Sequence, residues 1–113
     1  LQQMPVGPNT WVLANLFLHH FSEESLGRIL SSLADKTHLC CACEPHRDRW
    51  SLIAARLLWM MGAGPVTCHD AKVSVRAGFR SRELSALWPS DSGWSTFEQR
   101  AGWFSHLFLA QRR

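Results

Sequence analysis

Apolar residues occur in blocks along this chain, and the spacing within each block predicts its secondary structure. The unbroken apolar run at residues 11–14 predicts a strand buried on both faces, as in a parallel sheet. Leu26, Ile29, Leu30 and Leu33 then recur at helical spacing and indicate an amphipathic helix that covers one sheet face. The first third of the chain therefore predicts a strand followed by a helix.

A second strand and helix follow in the same order. The apolar run at residues 37–43 predicts another buried strand, and Asp48 can cap the helix after it. Six apolar positions form the stripe of that helix: Trp50, Ile53, Ala54, Leu57, Leu58 and Met61. Gly62 ends this helix, residues 66–79 show no clear pattern, and Ser81 can cap a further short helix.

The chain ends in two strand-like runs, near residues 94–100 and 103–110. Ala101 and Gly102 between them permit a tight hairpin. Strands that alternate with helices predict a parallel sheet with right-handed crossovers, to which the hairpin adds antiparallel strands. The predicted fold class is therefore α/β.

Composition narrows the class of protein. With 113 residues and 46% hydrophobic residues, the chain predicts one domain over residues 11–113, after a leader or linker at residues 1–10. A net charge of +3 is too small and too dispersed to predict a nucleic-acid partner. No signal peptide opens the chain, and no run approaches the roughly 18 apolar residues of a membrane span. The four cysteines are expected to be reduced and buried, so we predict a cytoplasmic protein without a membrane partner.

The predicted sheet lacks a neighbour on one side. Residues 11–14 have the apolar character of a central strand, yet the chain supplies a parallel partner on one side only. No Gly-x-Gly-x-x-Gly loop occurs to bind a nucleotide-like cofactor. The pattern therefore predicts one half of a doubly wound domain, with an open sheet edge through which a homodimer could form.

Polar residues follow both predicted parallel strands, where ligands bind in open sheets of this type. They lie in residues 15–21 and 44–47, which share one rim if the strands are neighbours. His19 or His20 could act as a general base there, because the pKa of histidine lies near neutrality. The alternative is that either histidine simply caps or packs the following helix. Asn15 could hold a polar ligand through its amide.

Other polar residues suggest less chemistry. A zinc site could draw on His38, Cys40, Cys41, Cys43, Cys68 and His69, but no Cys-x-x-Cys pair occurs and the spacing suits tetrahedral ligation poorly. We therefore predict no metal site. Asp70, Arg76, Glu98 and His106 are single polar residues for which solvated or structural roles are expected.

Residues 12–21, Val-Leu-Ala-Asn-Leu-Phe-Leu-His-His-Phe, resemble the fourth strand and the following Asn-Leu-x-Leu-His-His segment of class I S-adenosylmethionine-dependent methyltransferases. The next helix, and the strand that ends in Glu44-Pro45, resemble the family's next helix and fifth strand. Residues 74–80 resemble the segment before its last two strands, and the terminal hairpin is similar to those strands. The resemblance extends from about Thr10 to the end of the chain.

The resemblance implies strands four to seven of a Rossmann-like, seven-stranded sheet, and methyl transfer to a small-molecule acceptor. The weak positive charge and apolar composition favour a small aromatic or polyketide-like acceptor. It implies that Asn15, Leu16 and Phe17 lie near the methionine end of S-adenosyl-L-methionine. It places His19 and His20 where the cofactor meets the acceptor. Catalysis would then depend mainly on proximity and orientation.

Glu44 and Arg47, at the second rim segment, are candidates for binding the acceptor.

The resemblance also implies structural elements that this stretch of sequence does not supply. The family's first three strands and glycine-rich cofactor loop have no counterpart here, and Thr10 and Trp11 stand where an acidic residue often opens the fourth strand. The chain alone is therefore expected to be inactive. The alternatives are a non-catalytic fragment or interaction module that associates through its sheet edge, and a small metal-binding module.

Overall fold

The computed structural model describes residues 9–91 and 93–113, so most of the predicted leader lies outside the described residues. The fold is α/β, with a four-stranded mixed sheet and flanking helices. The strands are β1 (Trp11–Asn15), β2 (Leu39–Pro45), β3 (Trp94–Ala101) and β4 (Ser105–Arg112). The helices are α1 (Glu23–Lys36), α2 (Arg49–Leu57), α3 (Pro65–Ala77) and α4 (Glu83–Leu87), with 3-10 turns at Leu18–His20 and Leu58–Met61.

Local signals explain where most helices begin and end. The hydroxyl of Ser22 accepts a hydrogen bond from the N–H of Ser25 at the start of α1, and Asp48 caps α2 in the same way through Ser51. Gly62, with φ +88°, ends the second 3-10 turn in the left-handed conformation. These caps confirm the predicted helix boundaries.

Two helices depart from the sequence prediction. Helix α3 occupies most of the unclear stretch; its apolar residues form no clear helical stripe, and the residue of this helix that is buried is Cys68. Ser81 does not cap α4: it has φ +56° and makes no capping hydrogen bond. The carboxylate of Glu98 on β3 instead accepts hydrogen bonds from the N–H groups of Leu84 and Ser85, at 3.0 and 2.8 Å.

The sheet order is β1-β2-β4-β3, with β1 and β2 parallel and the other pairs antiparallel. The terminal hairpin was predicted correctly, but its loop spans residues 102–104 because Ala101 still pairs with Ser105. Gly102 has φ +70°, which glycine adopts without strain. Strand β4 lies inside the sheet, between β2 and β3.

The core lies on one face of the sheet. It joins β-strand residues such as Ala42 and Phe108 to Leu30 of α1 and Leu84 of α4, all fully buried. Within the described residues no helix covers the opposite face of β1, where Leu13 is 75% exposed. The prediction that residues 11–14 are buried on both faces is therefore wrong for this chain.

The apolar stripe predicted for the second helix is also more exposed than expected. Trp50 on α2 is 71% exposed, and Met61, in the 3-10 turn that continues α2, is 84% exposed, whereas the buried residues of α2 are the small Ser51 and Ala55. Helix α2 packs mainly against α3, so it meets a narrow helix surface and not a sheet. In the described part of the chain no helix combines the length and apolar character needed to cross a membrane.

Candidate functional site

The rim that follows β1 and β2 borders a cavity of about 500 Å³. Because β1 and β2 are parallel neighbours, their carboxyl ends meet at one edge of the sheet. Phe21 from the first rim segment and Arg47 from the second both line this cavity, together with Gly78 and Phe79 from the connection between α3 and α4. The two segments therefore share one rim, as predicted, and the volume suits a small organic molecule.

The carboxylate of Glu44 anchors the first rim segment. Its Oε1 accepts hydrogen bonds from the N–H groups of Phe17 and Leu18, at 3.0 and 2.9 Å. Its Oε2 accepts from the N–H of His19 at 3.3 Å and lies 2.8 Å from Nδ1 of the same residue. The Glu44 side chain is fully buried, so it faces the chain itself and not the cavity. This geometry assigns Glu44 to positioning the rim, and no part of it is open to an acceptor molecule.

The two histidines of the rim differ in environment. His19 is buried, and its bond to Glu44 calls for a proton on Nδ1 when the carboxylate is ionised. Nε2 is then the nitrogen with the free lone pair in the neutral ring. His20 is exposed, and its ring lies against that of His19, with 4.1 Å between their centroids. Of the two predicted catalytic residues, His20 is therefore the one that solvent reaches freely.

Asn15, Leu16 and Phe17 form an exposed tip at the open edge of the sheet. Leu16 is held there by a 2.9 Å hydrogen bond from its N–H to the carbonyl of Cys43. Its φ of +52° is unusual for a branched residue and costs about 1–2 kcal/mol. The chain therefore holds two half-exposed apolar side chains at this tip at the expense of backbone strain.

Arg47 connects the rim to the α3–α4 connection. Its guanidinium pairs with Glu83 and donates to the carbonyl of Gly78 at 3.2 Å. Its backbone N–H donates to the carbonyl of Phe79 at 2.9 Å, and the N–H of Phe79 donates to Pro45 at the same distance. Arg47 remains 39% exposed at the cavity wall, with its charge compensated by the Glu83 carboxylate, which lines the same cavity.

Glu98 and His106, for which solvated or structural roles were expected, lie on the two strands of the terminal hairpin and are not solvated. Both side chains are fully buried and lie 2.7 Å apart, between Oε1 of Glu98 and Nε2 of His106. The sequence signal for this pair was limited to their position in two adjacent strand-like runs. Among residues 9–91 and 93–113, no three His, Cys, Asp or Glu side chains lie close enough together to hold a metal ion.

The four cysteines are free thiols. Cys40 is fully buried, and burial, followed by the neighbouring Cys41, raises its pKa to about 11. Cys41 and Cys43 lie on the less covered face of β2 and are partly exposed. The predicted burial therefore holds for Cys40 and Cys68 only.

Comparisons with known proteins assign no family. No family model matches the chain, and no curated protein is significantly similar to it. The methyltransferase resemblance therefore rests on the residues at the rim and on the order of the elements.

Proposed function

We propose that this chain is the acceptor-side part of a class I S-adenosylmethionine-dependent methyltransferase domain that methylates a small molecule. The observation that supports this most is the buried carboxylate of Glu44, which fixes the backbone of the Leu-His-His segment at the edge of the sheet. Methyl transfer requires its reactants to be aligned, and a rim held by four hydrogen bonds is suited to that task. The parallel pair followed by an antiparallel hairpin agrees with the implied strand types.

The exposed tip fits one side of the cofactor. Leu16 and Phe17 offer apolar surface and Asn15 offers an amide, which suits the mixed chemistry of a methionyl group. Within the described residues nothing faces this tip from the open side of β1, so we propose that further residues complete the cofactor site. When bound, S-adenosyl-L-methionine supplies an electrophilic methyl group on its sulfonium.

The remaining residues would bind and prepare the acceptor. The cavity beside Phe21 and Arg47 has room for a small aromatic molecule, and the Arg47 guanidinium, which Glu83 holds in place, has further N–H groups that can donate to it. We infer that His20 accepts a proton from the acceptor, which is supported by its exposed ring at the rim, next to the cavity-lining Phe21. Glu44 acts through His19 and the backbone, as a positioning residue.

Calorimetric titration with S-adenosyl-L-methionine tests the proposal on this chain and on the same chain extended at its amino terminus. We expect binding by the extended protein only, weakened at least tenfold by Phe17→Ala. Trp59→Ala removes a similarly exposed aromatic residue far from the rim and serves as the matched control. Tight binding by the short chain contradicts the proposal that further residues complete the cofactor site. Equal binding by the Phe17→Ala and Trp59→Ala variants contradicts the role of the exposed tip.

A second candidate function is association through the open sheet edge, with a second copy of the chain as partner. Among residues 9–91 and 93–113, strand β1 has a neighbour on one side only, and Trp11 and Leu13 are 72% and 75% exposed on it. Unpaired apolar edges favour strand pairing between chains. Sedimentation equilibrium should then show a dimer that Leu13→Lys dissociates, and a monomer at high concentration would remove this candidate.

A further inference from the structure

A second polar cluster lies on the helix-covered face of the sheet. It comprises Glu98 on β3, His106 on β4 and His46, which directly follows β2; His106 stands opposite Glu44 in the sheet register. Nε2 of His106 lies 2.7 Å from Oε1 of Glu98. Nδ1 of His106 lies 3.3 Å from Nδ1 of His46, and the two ring planes differ by only 19° with their centroids 5.5 Å apart, so the rings lie edge to edge in nearly one plane. The three side chains thus form a continuous hydrogen-bonded chain that ends at Nε2 of His46.

When both histidine rings are neutral, the carboxylate sets the position of each proton. Burial favours a higher pKa for Glu98, but the hydrogen bonds from His106, Ser85 and Leu84 outweigh it and lower the pKa. An ionised carboxylate only accepts hydrogen bonds, so Nε2 of His106 must donate. Nδ1 of neutral His106 is then an acceptor, and Nδ1 of His46 must donate to it. Neutral His46 therefore has its lone pair on Nε2, the opposite of the tautomer that a free histidine side chain prefers.

We propose that Glu98, His106 and His46 form a two-histidine proton relay that is entered at Nε2 of His46. A proton that binds Nε2 converts His46 to an imidazolium, which passes its Nδ1 proton to Nδ1 of His106. His46 is then neutral with its proton on Nε2, and the positive charge lies on His106 beside the Glu98 carboxylate. The net change is the uptake of one proton, and no bond between heavy atoms forms or breaks.

The surroundings of His46 suit a proton acceptor. Its side chain is 12% exposed, whereas Glu98 and His106 are fully buried, so water reaches only the entry of the relay. Burial lowers the pKa of His46, Asp48 opposes this, and His106, Arg100 and Arg80 add to the lowering. The ring is therefore neutral at pH 7. Asp48, whose Oδ2 lies 3.7 Å from Nε2 and which also pairs with Arg100, favours the proton once it arrives.

The relay exchanges its proton with water at the carboxyl end of β2, where His46 is its partly exposed member. It does not depend on methyl transfer, because it needs no cofactor and its state can be read in the protein alone. It also differs from the His19–Glu44 pair, in which a single imidazole contacts a carboxylate already occupied by three backbone N–H groups.

Ring-nitrogen NMR of the uniformly ¹⁵N-labelled chain tests the relay directly. At pH 8 we expect His46 to be protonated on Nδ1 with a bare Nε2, and His106 to be protonated on Nε2. On acidification, both rings should change together at one midpoint, with uptake of a single proton. A proton on Nε2 of His46 at pH 8 would overturn the proposal, as would an acidification that alters His46 and leaves His106 unchanged.

Two variants complete the test. His106→Phe should return His46 to the ordinary tautomer with its proton on Nε2, because the ring acceptor is gone. His69→Gln, at an exposed position on α3, should leave both His46 and His106 unchanged. An unaltered His46 tautomer in His106→Phe contradicts the relay, and if this variant fails to fold, the tautomers of the wild-type protein decide the question without it.

Discussion

The substitution Glu44→Gln tests how the rim is held. Glutamine keeps one acceptor oxygen, which can serve the N–H groups of Phe17 and Leu18, but its NH₂ group must face the N–H and ring of His19. One buried N–H then loses its acceptor, at a cost of about 1–3 kcal/mol, and the retained bonds lose their charge assistance, at about 1 kcal/mol each. A neutral amide costs less free energy to bury than a charged carboxylate, and this difference offsets part of the loss. We expect a net loss of about 2–3 kcal/mol of the free energy of unfolding.

Urea unfolding followed by tryptophan fluorescence measures this loss, since Trp88 and Trp94 are buried and become exposed. With a slope of about 1.5 kcal/mol per molar urea, the midpoint should fall by about 1.5 M. Asp35→Asn, a comparable change at an exposed position of α1, should stay within about 0.5 kcal/mol of the wild type. A Glu44→Gln variant as stable as this control would refute the role assigned to the carboxylate.

Three further outcomes follow from the same structure. Gly78→Ala should destabilise the protein by more than about 2 kcal/mol, because a Cβ there would lie 2.3 Å from the carbonyl oxygen of Pro45 on β2. The control Gly27→Ala, in open space on α1, should stabilise the protein by about 0.5–1 kcal/mol. Equal effects of the two substitutions in urea unfolding would contradict the close approach at Gly78. The thiolate fraction of Cys40, with its pKa near 11, is about 100-fold below that of an ordinary thiol, so mass spectrometry should find it alkylated by iodoacetamide only after unfolding. The lowered pKa of Glu98 stabilises the fold above the unfolded value of 4.5, and this contribution is lost as the pH falls through the lower folded value. In Glu98→Gln, the urea unfolding midpoint should therefore depend less on pH below about 4.5 than it does in the wild type. An unchanged pH dependence would contradict an ionised Glu98 carboxylate in the folded protein.

Local sequence signals determined much of the secondary structure. Helix α1 follows from the spacing of Leu26, Leu30 and Leu33 and from the cap at Ser22, and these interactions lie within one or two turns of the chain. The hairpin likewise follows from two adjacent runs and a glycine between them. The shared rim was also predictable, because parallel neighbouring strands must end at the same edge.

Only the tertiary structure decided which polar groups meet. Glu44 and His19 are 25 residues apart, and His46 and His106 are 60 residues apart, so no spacing rule connects them. Their pairing depends on β4 lying inside the sheet, next to β2, an order that the hydrophobic pattern does not encode. The pattern likewise showed that residues 11–14 are apolar, but burial depends on what packs against them. In the described chain a helix layer covers one face of the sheet, and Leu13 on the other face remains exposed.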